Sequence, residues 1–213
     1  KLIDRFWDNL LWCLDFALSR KNENGVIASD SDELENRFES GNANLFTSCI
    51  TYDALGNAAV LAEIVGDHAH KELWENEREK LKAAIERYFG SNMEGFDTYR
   101  YYDGNTDLRS WICMPLTVGI FDRADQTIKA LFSPRLYNNG MMKSTSANNT
   151  TWDRSLLFAL RGTFLAGYAE KGIEETVNYC KNRLLGSHCP YPFEAYPEGN
   201  RAHLAAESLL FAR

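Results

Sequence analysis

The sequence lacks the motifs that define several large classes of protein. Its five cysteines are odd in number and scattered, with no Cys-x-x-Cys spacing. This argues against a disulfide framework or a zinc site and predicts reduced, buried thiols. There is also no Gly-x-Ser-x-Gly, P-loop or dinucleotide-binding fingerprint, so serine hydrolases, NTPases and dehydrogenases gain no support. We therefore expect neither a metal nor a cofactor.

Positively charged residues are also fewer than negatively charged ones. The 213 residues carry 23 Lys and Arg against 30 Asp and Glu, a formal net charge of −7 at pH 7. This balance argues against binding to nucleic-acid phosphates and against docking on an anionic membrane. No apolar run is expected to reach the roughly 20 residues of a membrane span, and none resembles a signal peptide. We therefore expect no nucleic-acid or membrane partner, and both cytoplasm and periplasm stay open as compartments.

Helical periodicity, in contrast, is abundant. From Leu2 to Leu18 apolar residues recur at three- and four-residue spacing, which marks one face of a helix and predicts that Trp7 and Trp12 belong to the core. The pattern predicts further helices at residues 47–65, 70–89, 108–120, 123–132, 151–168 and 173–185, a tight turn at 170–172, a last helix from 200, and one candidate strand at 96–102. The predicted fold class is all-α, with antiparallel hairpins arranged in an α-solenoid or a closed helical toroid.

Both ends of the sequence fall inside amphipathic helices. Lys1 is not preceded by a methionine, and Leu209, Leu210 and Phe211 lie just before the last residue. We therefore expect residues 1–213 to form a single helical domain that is a piece of a longer chain. The remainder of that chain is then one of its partners.

Long loops carry the residues best suited to chemistry. Segment 30–42 is rich in carboxylates and includes Glu35 and Asn42, whereas segment 191–201 interleaves Glu194 and Glu198 with aromatic rings and prolines. Two carboxylates held across a cleft are what glycoside hydrolysis needs, one as a protonated acid and one as a base or nucleophile. Simpler explanations remain open. The first loop can be solvated surface, Glu194 and Glu198 can complement a helix dipole, and Asp153 can cap its helix.

Several segments resemble the six-hairpin glycosidases, the (α/α)6-toroid enzymes that include glucoamylases, trehalases and glycogen-debranching glucosidases. DELENR at 32–37 followed by NLFTS at 44–48 resembles a glucoamylase segment. The Ala- and Leu-rich helix at 52–66, TWDR at 151–154 and FEAYPEG at 193–199 also resemble family motifs, and they occur in the family's order. The resemblance implies that the chain is the C-terminal part of such a toroid.

The resemblance also implies roles for particular residues. Glu35 falls on the general acid, for which a residue of a hairpin further upstream, outside residues 1–213, is the alternative. Glu194 falls on the general base, with Glu198 as the alternative. We further predict that the sugar substrate, an oligosaccharide or glycoside, is bound by Trp152, Asp153 and Arg154 of the TWDR motif and, outside the family motifs, by Asn42, Arg109 and Trp111. The implied activity is hydrolysis of a glycosidic bond, with inversion the expected outcome, for which the two carboxyl groups should lie roughly 6.5–9.5 Å apart.

Leu34 departs from this family pattern, because the glucoamylase segment has tryptophan there. This departure motivates a second hypothesis, a catalytically silent toroid that binds carbohydrate. A third hypothesis is an α-solenoid that serves as an interaction scaffold. A retaining lyase or a phosphorylase on the same fold also stays open.

Overall fold

The protein forms two compact helical units. The computed structural model describes residues 2–32 and 37–185, with only the backbone at position 184. The first unit comprises Lys1–Gly90 with Tyr102–Gly104, and the second comprises Ser91–Tyr101 with Asn105–Arg213. The predicted final helix from Asn200 lies outside the described residues.

The first unit consists of three long helices whose ends are set by local sequence. They are α1 (Leu2–Ser19), α2 (Leu45–Val65) and α3 (His68–Phe89). Asn44 caps α2 by accepting a hydrogen bond from the Thr47 amide at 2.8 Å, and Asp67 caps α3 by accepting one from the His70 amide at 3.2 Å. Between these helices Gly66 takes the left-handed conformation, with φ of 80°, as the sequence predicts for a helix C-terminus. A short connection therefore joins α2 and α3 into a hairpin.

The core of this unit forms around Trp74 on α3, which is fully buried. Trp7 packs on Trp74 with ring centroids 5.8 Å apart, so Trp7 contributes to the core as predicted. The same prediction is wrong for Trp12, which is 68% exposed and stacks on exposed Phe16. The two tryptophans are five positions apart, so they point to different sides of α1, and only the Trp7 side faces Trp74.

Helix α2 differs from the expectation that no apolar run reaches membrane-spanning length. Its 21 residues are long and apolar enough to cross a membrane by length and composition alone, with a mean hydropathy of 1.2 in the best window. Half of that window is buried inside the protein, and the buried residues include Leu45 and Leu55. A core helix passes the same test, so one helix of this kind is weak evidence for a span.

The second unit combines shorter helices with two small β-hairpins. Its elements in chain order are β1 (Gly90–Met93), β2 (Phe96–Tyr99), a 3₁₀ turn (Ser110–Cys113), α4 (Met114–Thr117), α5 (Ala124–Leu131), β3 (Tyr137–Asn138), β4 (Met141–Met142), α6 (Asp153–Leu165), α7 (Ala169–Tyr179) and a π turn (Cys180–Leu184). Strand β1 pairs with β2, and β3 pairs antiparallel with β4. The predicted strand at 96–102 is therefore confirmed for its first four residues.

Two predictions of local structure in this unit need correction. The helix predicted over 108–120 is confirmed for residues 110–117, the 3₁₀ turn and α4, and it begins later than predicted because Arg109 is extended and forms a bridge with Thr145. The turn predicted at 170–172 lies inside α7, and the chain reverses at Gly167, which has φ of 87°. Gly172 serves instead for close packing, since a Cβ built on it would lie 2.7 Å from the ring of Phe164.

The cysteines of the described residues are free thiols, as predicted. Cys49 and Cys113 are buried, Cys180 is partly buried and Cys13 is exposed. The expectation of burial is therefore wrong for Cys13, which is exposed on α1. Cys189 lies outside the described residues.

Candidate functional site

The candidate site lies in the second unit, where the chain enters α6. Asn139 and Gly140 both have positive φ and connect β3 to β4, a two-residue turn favoured by an Asn-Gly pair. The carbonyl of Met142 on β4 then accepts a hydrogen bond from the Trp152 amide at 2.9 Å. Backbone pairing therefore fixes Trp152 as the residue that precedes α6, and Asp153 as the first residue of the helix.

A second segment joins this point from elsewhere in the sequence. Arg109 forms an antiparallel bridge with Thr145, and the Ser110 amide donates to the Ser144 carbonyl at 3.0 Å. The Ser110 hydroxyl donates to the hydroxyl of Ser155, in the first turn of α6, at 3.0 Å. The segment that carries Arg109 and Trp111 is thus bonded to the segment that carries Trp152 and Asp153.

Charged side chains in this region are paired within the protein. Nη2 of Arg183 donates to Oδ2 of Asp153 at 2.6 Å, and both side chains are buried, with exposed fractions of 1% and 7%. Nε of Arg109 lies 3.2 Å from Oδ2 of Asp107, an oxygen that also accepts a hydrogen bond from the hydroxyl of Thr145. Burial of charges is costly unless they are paired in this way, so these contacts fix both predicted sugar-binding groups in place.

The two tryptophans of the site are also buried. Trp111 is 2% exposed and Trp152 is 4% exposed. The ring of Trp111 packs edge-on against Phe158 at 5.4 Å, and the guanidinium of Arg154 lies 5.7 Å from the centre of the Trp152 ring. The rings therefore contact protein on the faces and edges where the sequence predicts contact with sugar.

The remaining predicted residues lie elsewhere. Asn42 belongs to the first unit, where its side chain is exposed and its carbonyl accepts a hydrogen bond from the Ser29 amide at 2.9 Å. Glu35, Glu194 and Glu198, the predicted acid and the two alternative bases, lie outside the described residues. Their roles stay predictions.

The structure adds Arg183 to the region, a residue that sequence reasoning missed. It lies 30 positions from Asp153, beyond the reach of any helical or strand periodicity, so no local signal pairs the two. The β3–β4 hairpin was also missed, although its Asn139-Gly140 pair is a recognisable hairpin signal. Among residues 2–32 and 37–185 no group of three or more His, Cys, Asp or Glu is arranged to hold a metal ion.

A second cluster braces the hairpin against α7. The Glu175 carboxylate, 4% exposed, accepts hydrogen bonds from the Tyr137 hydroxyl, from Lys171 at 2.5 Å and from Asn178 at 2.9 Å. Burial acts to raise the pKa of Glu175, but these donors outweigh it and hold that pKa below its ordinary value. Burial and the neighbouring carboxylate together raise the pKa of Tyr137, which therefore stays protonated as a donor.

Comparison with known proteins identifies the fold. No protein-family model matches the sequence, and no curated protein is similar to it in sequence. Among solved structures the chain is similar to the neutral trehalase Nth1 from Saccharomyces cerevisiae, with a TM-score of 0.64 and 13% sequence identity. The match covers 86% of this chain and 39% of the trehalase chain. The predicted fold class, all-α hairpins of the (α/α)6-toroid type, is confirmed.

Proposed function

We propose that the protein is a glycoside hydrolase that cleaves an α-linked, gluco-configured or related sugar with inversion at the anomeric carbon. The observation that carries the proposal is the direct bonding of two distant segments. Ser110 and Ser155 join the segment of Arg109 and Trp111 to the start of α6, with Trp152 and Asp153. Sugar binding is predicted for both segments, and the resemblance to the family is carried by the second one, TWDR. The trehalase similarity supports the same fold class.

In this proposal two carboxyl groups carry the chemistry. Glu35 protonates the leaving glycosidic oxygen, and Glu194 activates the water that attacks from the opposite face of the sugar, with Glu198 as the alternative base. Inversion needs one group protonated and the other ionised, with room for a water molecule between them. These three assignments rest on the sequence motifs.

The described residues supply substrate binding. Asp153 is an acceptor held by buried Arg183, and Arg109 is a donor paired with partly buried Asp107, and such positioned groups give directional hydrogen bonds to sugar hydroxyls. Because Trp111 and Trp152 are buried, we propose that they contribute by excluding water and by supporting these polar groups. Arg154 completes the proposed binding set of the second unit, whereas the role of Asn42, in the first unit, stays a prediction from the sequence.

The decisive experiment measures hydrolysis by the purified protein that carries this chain. A panel of α-glucosides that includes trehalose is tested, and proton NMR identifies the anomer formed first. We expect a β-anomer from an α-glycoside. Glu35→Gln and either Glu194→Gln or Glu198→Gln should each lower kcat by about 100- to 10,000-fold, as expected for loss of a general acid or base.

Glu23→Gln is the matched control, since it makes the same chemical change at an exposed residue of the first unit. It should keep the activity of the unmodified protein. A folded protein that hydrolyses no member of the panel contradicts the proposal. Retention of the anomeric configuration contradicts the inverting mechanism only.

A catalytically silent carbohydrate-binding protein is the second candidate, and Leu34 at the position of a family tryptophan favours it. It predicts that calorimetry detects sugar binding without turnover. It also predicts that Glu194→Gln leaves the dissociation constant unchanged. Turnover of any sugar in the panel rules this candidate out.

A further inference from the structure

We propose that Arg183 is a positioning residue, which holds the Asp153 carboxylate at the start of α6 in the orientation that binds the sugar. This inference rests on the proposed function and extends it to a residue outside every sequence motif of the site. Its basis is the buried contact between the Arg183 guanidinium and Oδ2 of Asp153 at 2.6 Å.

The burial of the pair argues that it does more than hold the fold together. Arg183 is 1% exposed and Asp153 is 7% exposed, so both charges have lost most of their hydration. Replacing both members of a buried ion pair by apolar residues often costs no stability, so the fold alone does not require this pair, whereas removing one member leaves a buried charge without its partner. A carboxylate has two oxygens, so one that is held by a guanidinium can still accept a hydrogen bond from a sugar hydroxyl.

Helix α7 and the π turn that follows it stabilise the start of α6 through two separate contacts. Near its middle Glu175 accepts a hydrogen bond from Tyr137 on β3, which fixes the hairpin whose second strand bonds the Trp152 amide. After its end the π turn carries Arg183 to Asp153. The backbone before Asp153 and the carboxylate itself are therefore held by the same helix.

The π turn is part of this arrangement. The Leu185 amide donates to the Cys180 carbonyl at 2.9 Å, a hydrogen bond that spans five residues. Such a turn is wider than an α-helical turn and changes the direction of the side chains that follow, and π turns are frequent at functional sites. Here the turn contains Arg183, which makes the ion pair with α6.

The experiment compares kcat and KM of the active protein with those of Arg183→Met, Arg183→Lys, Asp153→Asn and the double variant R183M/D153N. Measurements are made well below each variant's melting temperature. We expect R183M to lower kcat/KM about 100-fold, the scale of a misplaced binding group, mostly through a higher KM. D153N should have a similar effect, and the double variant should be no worse than the poorer single variant, since the two residues act as one unit.

R183K keeps the positive charge but loses the planar guanidinium with its several N–H donors. We therefore expect a kcat/KM that is lowered, but by no more than about 10-fold relative to the unmodified protein. Lys181→Met is the matched control, because it removes a cation from the same turn at an exposed position. It should leave both kinetic constants unchanged.

The outcomes separate this inference from the proposed function. A folded R183M with unaltered kcat and KM, or losses that multiply in the double variant, overturns the inference alone. If R183M does not fold, R183K decides, because a raised KM supports the inference and an unaltered KM overturns it. A protein without glycosidase activity overturns the proposed function and this inference together.

Discussion

The buried carboxylate of Glu175 allows a sharp prediction for stability. Glu175→Gln keeps the shape of the side chain but replaces an ionised acceptor with a neutral amide. The carboxylate accepts hydrogen bonds from Tyr137, Lys171 and Asn178, whereas the amide has one acceptor oxygen and turns an N–H toward one of these donors. Lys171 is 35% exposed and can turn to water, which limits the loss. We expect the free energy of unfolding to fall by about 2–3 kcal/mol at pH 7, the scale of one hydrogen bond to a charged group plus one unsatisfied buried donor.

The same cluster sets the pH dependence. Because the folded protein holds the pKa of Glu175 below its ordinary value of 4.5, ionisation of this carboxyl stabilises the protein fully above pH 4.5. That contribution is lost as the pH falls through the lower pKa of the folded state. The stability difference between the unmodified protein and Glu175→Gln should therefore be constant from pH 7 to pH 5 and shrink below pH 4.5.

Urea unfolding followed by tryptophan fluorescence at several pH values measures both effects, provided that the m-value is unaltered. Glu174→Gln is the control, because Glu174 also lies 3.2 Å from Lys171 but is 61% exposed. It should change stability by less than about 1 kcal/mol. A Glu175→Gln loss no larger than that of the control, or a difference that does not vary with pH, would refute the reasoning.

Three glycines give further predictions that calorimetric melting can check. Gly140→Ala should lower the free energy of unfolding by about 2–4 kcal/mol, because φ is 84° and the new Cβ would lie 2.8 Å from the Asn178 carbonyl oxygen. Gly104 also has a positive φ, 90°, but no atom lies within 4 Å of the position of its Cβ. Gly104→Ala should therefore lower the free energy of unfolding only by the backbone strain of about 1–2 kcal/mol. Gly162→Ala lies inside α6, where alanine normally gains about 1 kcal/mol, but a Cβ there would lie 2.8 Å from Cβ of Leu116. We expect a net loss of about 1–2 kcal/mol, and a higher melting temperature would contradict it.

Local structure was predictable where it is determined by residues that are close together in the sequence. The α2–α3 hairpin follows from apolar periodicity and from caps at Asn44, Gly66 and Asp67, each of which acts within a few residues. Glycines inside the second unit were harder to interpret. Gly167 reverses the chain whereas Gly172 permits close packing. The residue type alone does not distinguish these two roles of glycine.

The arrangement of the site depends on contacts that no local pattern encodes. The extended conformation of Arg109 exists because Thr145 pairs with it, and without that partner the apolar spacing from residue 108 indicates a helix. Asp153 and Arg183 are likewise joined only by the packing of α6 against the end of α7. Residue types and their order therefore allow a prediction that these segments bind sugar, which stays a prediction, but they contain no information on how the segments are held together.

Burial changes the chemistry that the named residues can perform. Trp111 and Trp152 were predicted to offer ring faces to a sugar, but their exposed fractions of 2% and 4% leave little ring surface for stacking. Asp153 and Arg109 are also buried, but a hydrogen bond needs only one accessible atom, whereas stacking needs a whole face. Substrate recognition in the second unit should therefore depend on polar groups more than on aromatic stacking. On this reasoning Asp153→Asn should weaken sugar binding more than Trp152→Phe in proteins of equal stability.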